Sequence, residues 1–253
     1  MAIITKTKSL SLLSSKDIPS QDRLIFALDV PSIEEAKKLV NDLGDTICFY
    51  KIGLELFMSG NYLDFISWLK AKDKKVFVDL KFFDVPQTVG SAIKQLRKYG
   101  ASFATIHGND EIMKAAAKQK GDMKILAVTM LTSLDQGDVE DLGFKVDIKE
   151  IVLSRAKRAL DIGCDGVISS GLEAPELRDK LGAKFIIVTP GIRPVKNTDD
   201  QKRTVDVEEA FLNGADYIVI GRPIKDHHGF KTPKEAAISI QQRIKNLFND
   251  QAQ

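Results

Sequence analysis

From residue 23 onward, short apolar runs alternate with longer stretches in which apolar positions recur at helical spacing. The apolar runs fall at 24–28, 46–52, 75–80, 102–106, 124–128, 166–168, 184–188 and 217–220. Each has strand length, and each is followed by a helical pattern such as 32–40, where Ser32 is placed to cap the first turn. Gly44, Gly100, Gly163, Gly182 and Gly214 close several of these helices, where glycine suits the left-handed position before the next strand. A last helix over about 233–248 completes the series, and 137–146 reads as a loop inserted after the fifth strand. Eight strands alternating with helices, without a break in composition, predict parallel βαβ units. A closed (β/α)8 TIM barrel accounts for that count better than the alternative, an open doubly wound sheet.

Composition narrows this α/β reading. The 253 residues match one (β/α)8 domain, expected over 21–253. With 37 basic and 35 acidic residues, no global field points to nucleic acid or a membrane surface. No apolar run approaches the length of a membrane span. Residues 1–20 are rich in Ser and Lys and lack an unbroken apolar segment, so a flexible extension is expected rather than a secretory signal. An organelle presequence is the weaker alternative, since no arginine precedes Arg23. Cys48 and Cys164, each in an apolar run, read as reduced core residues of a cytoplasmic protein. His107, His227 and His228 lack metal-ligand spacing.

Candidate chemistry collects where the strands end. In a barrel of this kind the C-terminal strand ends carry the active site. Found there are Asp29, Lys51, Asp79 with Lys81, His107, 129–132, Ser169, Thr189-Pro190 and Gly221-Arg222. Segments 189–194 and 220–223, Thr-Pro-Gly-Ile-Arg-Pro and Ile-Gly-Arg-Pro, follow the last two strands, where barrels often bind phosphate. Gly221 lets a backbone N–H approach an oxygen, and Arg222 can form a paired charge-assisted contact. The polar tract 193–203 reads as a lid.

The densest cluster is the run from Val76 through Asp79, Lys81, Asp84 and Pro86 to Thr88. Alternation along a strand sends Asp79 and Lys81 to one face and Leu80 to the other. Asp84 is expected just past the strand end, beside the same lysine. Taken alone, the cluster also fits a structural ion pair, with Asp84 helping to start the helix that Pro86 marks. Together with Asp29 and Lys51 it can form an alternating chain of charges. An anionic substrate group beside Asp79 would be repelled by about 1 kcal/mol at 4 Å in water and about 4 kcal/mol at an effective dielectric near 20. That repulsion helps expel a carboxylate as CO2 but is too small to supply a whole enzymatic barrier reduction. A fixed Lys81 ammonium that stabilises and then protonates the resulting carbanion supplies the larger share. Flanking carboxylates keep this lysine charged, which disfavours a Schiff-base role.

In combination these segments resemble the orotidine 5′-phosphate decarboxylase family in its bacterial form, over about 24–248. The motifs are Ala-Leu-Asp29, Lys51-Ile-Gly, Asp79-Leu-Lys81-Phe-Phe-Asp84-Val-Pro-Gln-Thr88, Leu-Thr132-Ser, Thr-Pro-Gly-Ile-Arg193-Pro and Ile-Gly-Arg222-Pro. The resemblance implies decarboxylation of orotidine 5′-monophosphate (OMP) to uridine 5′-monophosphate (UMP) in pyrimidine synthesis, without metal or organic cofactor. It casts Lys81 as proton donor at pyrimidine C6 and Asp79 as the group pressing on the substrate carboxylate. Asp29 and Lys51 would hold ribose hydroxyls, with Lys51 also orienting Asp79, while Thr132 would bind the pyrimidine edge and Val85 and Pro190 would line its apolar side. Arg222, the Gly221 amide and Gln201 would hold phosphate, with Arg193 supporting a closed lid. It also implies a homodimer in which Asp84 and Thr88 reach the neighbouring site.

Two positions depart from the bacterial pattern, Phe83 for the usual His and Gln87 for the usual Asn. The lysine, its carboxylates and the threonine remain, so activity is expected to survive. Asp-x-Lys-x-x-Asp by itself also occurs in metal-dependent barrel decarboxylases and aldolases acting on sugar phosphates. Leu-Thr132-Ser and Gly-Ile-Arg193-Pro argue against that reading. A non-catalytic phosphate-ligand binder has no use for a carboxylate that repels substrate.

Overall fold

Every one of the eight apolar runs forms a strand: β1 (Leu24–Ala27), β2 (Phe49–Ile52), β3 (Lys75–Phe82), β4 (Phe103–His107), β5 (Lys124–Val128), β6 (Gly166–Ile168), β7 (Ile186–Thr189) and β8 (Tyr217–Ile220). The computed structural model describes residues 12–193, 204–227 and 229–249. Neighbouring strands pair in parallel, and β8 returns to β1 in the register Ile25↔Val219, closing the barrel in sequence order. The strand order excludes the open doubly wound sheet, whose strands change direction of growth at a switch point.

Helices α1 (Ile33–Leu43), α2 (Leu54–Met58), α3 (Tyr62–Lys70), α4 (Pro86–Leu96), α5 (Asp110–Gln119), α6 (Gln136–Asp141), α7 (Ile148–Ile162), α8 (Ala174–Leu181), α9 (Val207–Leu212), α10 (Arg222–Lys225) and α11 (Pro233–Asn249) fill the connections. Ser32 caps α1 as expected, its hydroxyl accepting from the Glu35 N–H at 3.1 Å. The five glycines expected at helix ends all have positive φ, and Gly163 closes α7 in left-handed form at φ 102°.

Alternation along the strands sorts the core into two shells. Even-numbered β1 and β4 residues such as Phe26, Ala104 and Ile106 pack outward against the helices. Odd-numbered Phe49, Phe77 and Phe103, with Leu126, Val188 and Val219, fill the lumen. Phe103 meets Phe49 and Tyr217 edge-on at centroid distances of 5.0 and 5.2 Å. These rings plug the N-terminal half of the barrel, so the opposite end is the one left to hold a ligand.

Three expectations need correction. The second strand is shorter than 46–52, because Gly44–Thr46 closes into a 3-10 turn. The segment 137–146 is not simply a loop: an Asp135/Asp138 capping box supports α6, and Val139 is buried. The expected flexible extension 1–20 is docked over its described portion. Leu13 packs on the outer shell, and Lys16 Nζ lies 2.9 Å from Oδ1 of fully buried Asp216. Asp216 also receives Ser14 and, at 2.8 Å, Arg178.

Candidate active site

Two residues beyond a lumen position, each of the first four strands presents a polar residue toward the barrel mouth. Ala27 leads to Asp29, Phe49 to Lys51, Phe77 to Asp79 and Phe103 to Thr105, two residues on in each case. The Lys51 ammonium lies 3.2 Å from Asp29 Oδ1 and 3.5 Å from Asp79 Oδ2. Asp79 Oδ1 in turn meets the Lys81 ammonium at 2.9 Å and the Thr105 hydroxyl at 2.8 Å. One largely buried carboxylate therefore bridges two ammonium groups. Burial opposes its charge, but Lys51, Lys81 and the hydrogen bonds from Lys81 and Thr105 outweigh that and hold the Asp79 carboxyl below its ordinary range. Burial likewise opposes the charge on Lys51, yet Asp79 and Asp29 raise its pKa above the ordinary value.

The backbone of β3 is irregular at this point. Val78 pairs with Ala104 and Phe82 with Ile106, leaving Asp79, Leu80 and Lys81 opposite the single residue Thr105. Within that bulge Lys81 has φ 48°, a conformation uncommon for a side-chain-bearing residue. Its N–H is bound by Thr105 Oγ1 at 3.0 Å. Leu80 and Phe82 pack outward while Asp79 and Lys81 face the cavity, as alternation predicts.

That cavity, about 300 Å3, is walled by the ends of β1–β3, β5 and β6 and by the segments after β7 and β8. Phe77, Val128, Ile168 and Val219 give it an apolar floor. Pro190, Gly191 and Arg193 line it from the β7 side, and Gly221 and Arg222 from the β8 side. A Cβ on Gly221 would stand 3.3 Å from the Ala27 Cβ and 3.6 Å from Asp29 Oδ2, so any larger residue there crowds the mouth.

Of the residues singled out in the sequence, Asp29, Lys51, Asp79, Lys81, Thr132, Pro190, Arg193, Gly221 and Arg222 line this one cavity. Asp84, Val85 and Thr88 do not. Beyond Phe82 the chain leaves the strand, and Asp84 Oδ1 accepts from the Val85 N–H at 2.6 Å at the start of α4. Asp84 is thus exposed rather than beside Lys81, and Val85 is 62% exposed rather than lining the apolar side of this cavity. Gln201 lies outside the described residues, as does most of the expected lid.

His107 does not line the cavity but packs edge-on against Phe83 at 5.3 Å. Burial, then Arg155 and Lys81, lower its pKa and favour the neutral ring. Ser169 bonds Glu173 at 3.2 Å, and Thr129 bonds the Ile168 carbonyl at 3.4 Å, so both serve the scaffold. Thr105 was not singled out, although its place two residues after Phe103 marks it as lumen-facing. Among the described residues no group of three or more His, Cys, Asp or Glu could hold a metal ion, and no helix is long and apolar enough to cross a membrane.

Fold and cavity define a (β/α)8-barrel protein with a lysine–carboxylate centre at the mouth of the barrel. The family model described as orotidine 5′-phosphate decarboxylase / HUMPS family matches residues 22–237, and the chain belongs to this family. It is 62% identical over 240 residues to an orotidine 5′-phosphate decarboxylase of Methylococcus capsulatus, covering 94% of this chain and 98% of the relative. To that of Stenotrophomonas maltophilia it is 48% identical over 237 residues, with 92% and 97% covered. The crystal structure of orotidine 5′-phosphate decarboxylase from Lactobacillus acidophilus superposes with a TM-score of 0.78 at 36% identity, covering 88% of this chain and 99% of that one.

Proposed function

We propose that the chain is an orotidine 5′-phosphate decarboxylase, a carboxy-lyase that converts OMP to UMP in pyrimidine synthesis without metal or organic cofactor. The observation that carries this reading is the Asp79 carboxylate held between Lys51 and Lys81 in a cavity that also reaches Arg222. An aldolase forming a Schiff base needs a lysine nitrogen free to attack a carbonyl, whereas Lys81 Nζ is tied to Asp79 Oδ1 at 2.9 Å.

In the proposed reaction the substrate carboxylate is set against Asp79, already held ionised by its neighbours. The C6–carboxylate bond breaks, its electron pair stays on C6, and CO2 leaves as a neutral molecule. The Lys81 ammonium stabilises that carbanion and then transfers a proton to it, and solvent reprotonates the lysine. Asp29 and Lys51 bind ribose hydroxyls, Thr132 the pyrimidine edge and Pro190 its apolar side. Arg222, the Gly221 N–H and Gln201 bind phosphate, with Arg193 supporting lid closure. Binding energy gathered at the phosphate, remote from C6, is then spent on assembling the charged centre.

The active unit is a homodimer. Asp84 and Thr88 are exposed and do not line the cavity of their own chain, which leaves them available to a neighbouring site. Leu54, Met58, Phe83 and Val85, each between 60% and 79% exposed, supply apolar surface on the segments after β2 and β3 for a second copy to cover. The free thiols Cys48 and Cys164 suit a reducing cytoplasm.

The test is incubation of the purified chain with OMP, following UMP and CO2 together. Stoichiometric release of both is expected, and an inert protein with authentic substrate contradicts the assignment.

A further inference from the structure

We infer that Thr105 is a positioning residue for the proposed reaction, its single hydroxyl setting both the Asp79 carboxylate and the backbone that carries Lys81. The inference rests on the roles assigned above to Asp79 and Lys81 and concerns a residue outside that set.

Three residues, Asp79, Leu80 and Lys81, stand opposite Thr105 alone, between the pairs Val78↔Ala104 and Phe82↔Ile106. A regular ladder would satisfy the N–H groups of this stretch with β4 carbonyls, but the bulge interrupts it. The Lys81 N–H bonds instead to the Thr105 side-chain oxygen at 3.0 Å. That same oxygen donates its proton to Asp79 Oδ1 at 2.8 Å. One hydroxyl thus acts as acceptor and donor at once, joining the carboxylate to the backbone of the residue two positions later.

The geometry gives this bond leverage. Lys81 Nζ meets the same oxygen, Asp79 Oδ1, that Thr105 grips, whereas Lys51 takes Oδ2. Thr105 therefore fixes which carboxylate oxygen faces which ammonium. Lys81 holds a φ of 48°, and the N–H that anchors that conformation ends on Thr105. Thr105 is fully buried, so water does not replace the hydroxyl without rearrangement of the strand. Valine has nearly the same shape but neither donates nor accepts. It leaves the Lys81 N–H without that partner and frees the carboxylate to rotate.

The experiment compares wild type, Thr105→Val, Thr105→Ser and Lys81→Ala for OMP turnover, for UMP binding and across pH. Thr105→Val is expected to lower kcat about 10- to 100-fold, as for loss of a charge-assisted hydrogen bond at a reacting group, with KM and UMP affinity changed less than about threefold. Its acid limb in kcat should move to higher pH, because Asp79 loses one of the contacts that depress its pKa. Thr105→Ser should recover most of the rate, to within about fivefold of wild type, because it keeps the hydroxyl. A purely structural role would lower the melting temperature without moving the acid limb. If Thr105→Val proves insoluble, Thr105→Ala is read in the same way. Thr105→Val at wild-type kcat with an unmoved acid limb overturns the inference alone, provided that wild type turns over and Lys81→Ala does not. Absence of wild-type turnover overturns the functional reading and this inference together.

Discussion

Lys81 Nζ lies 2.9 Å from Asp79 Oδ1, and the residue that carries it sits in a bulge at φ 48°. A side chain on a regular strand two residues beyond Asp79 would stand directly above it. Here both side chains face the cavity, and the bulge, a familiar irregularity beside active sites, ends the Lys81 N–H on the Thr105 hydroxyl. Strain at the backbone and charge at the side chain thus meet on the residue proposed to donate the proton.

Replacing that ammonium should separate chemistry from binding. Lys81→Ala is expected to lower kcat by about 1000-fold or more while UMP affinity stays within about tenfold. Single-turnover kinetics beside calorimetric titration with UMP check both halves. A variant retaining near-normal kcat removes Lys81 from the mechanism.

The depressed pKa of Asp79 carries a prediction about acid. A carboxyl whose folded pKa lies below its unfolded value contributes stability that is present above the unfolded pKa and is lost as pH falls through the folded one. Burial works against this, but Lys51 and Lys81 prevail, so the loss should fall below the ordinary carboxylate range. Lys51 has the opposite sign: its raised pKa gives stability present below the unfolded lysine value and lost as pH rises through the folded one. Melting curves of wild type and Asp79→Asn across pH test this. The two should converge only under strongly acid conditions, and convergence already at neutral pH would show Asp79 to be unpaired in solution.

Arg222 is expected to act on binding at a distance from C6. Arg222→Ala should raise KM for OMP about 10- to 100-fold, the scale of losing a paired charge-assisted contact to phosphate. The same change should reduce the rise in melting temperature that UMP gives the wild type. An unchanged KM would place the phosphate elsewhere.

Sharing of Asp84 across a dimer can be tested by mixing two inactive proteins. Lys81→Ala and Asp84→Ala subunits, exchanged in equal amounts, should form hybrids with one complete site. Random pairing then restores about one quarter of wild-type activity. No recovery in verified hybrid dimers means that Asp84 serves its own chain.

Much of this molecule was legible before its structure. The eight strands stood out because parallel barrel strands are covered on both faces and read as continuous apolar runs. Asp29, Lys51, Asp79 and Arg222 stood out because each ends such a run with a polar group that packing does not require. The place of Asp84 is not legible in the same way, because the strand ends at Phe82 and the approach to α4 takes Asp84 to the exposed side. Thr105 was overlooked for a related reason. A β-branched residue inside a strand looks like an ordinary strand former, and only the register against the β3 bulge reveals what its hydroxyl touches. The docking of Lys16 on Asp216 depends on a contact 200 positions away, which local pattern does not encode.

In the proposed reaction the lysine–carboxylate centre carries decarboxylation without a metal. UMP formation from OMP, measured on one preparation before and after exhaustive treatment with a chelator, tests it most directly. An unchanged rate is predicted; a rate abolished by the chelator and restored by added Mg2+ would contradict it.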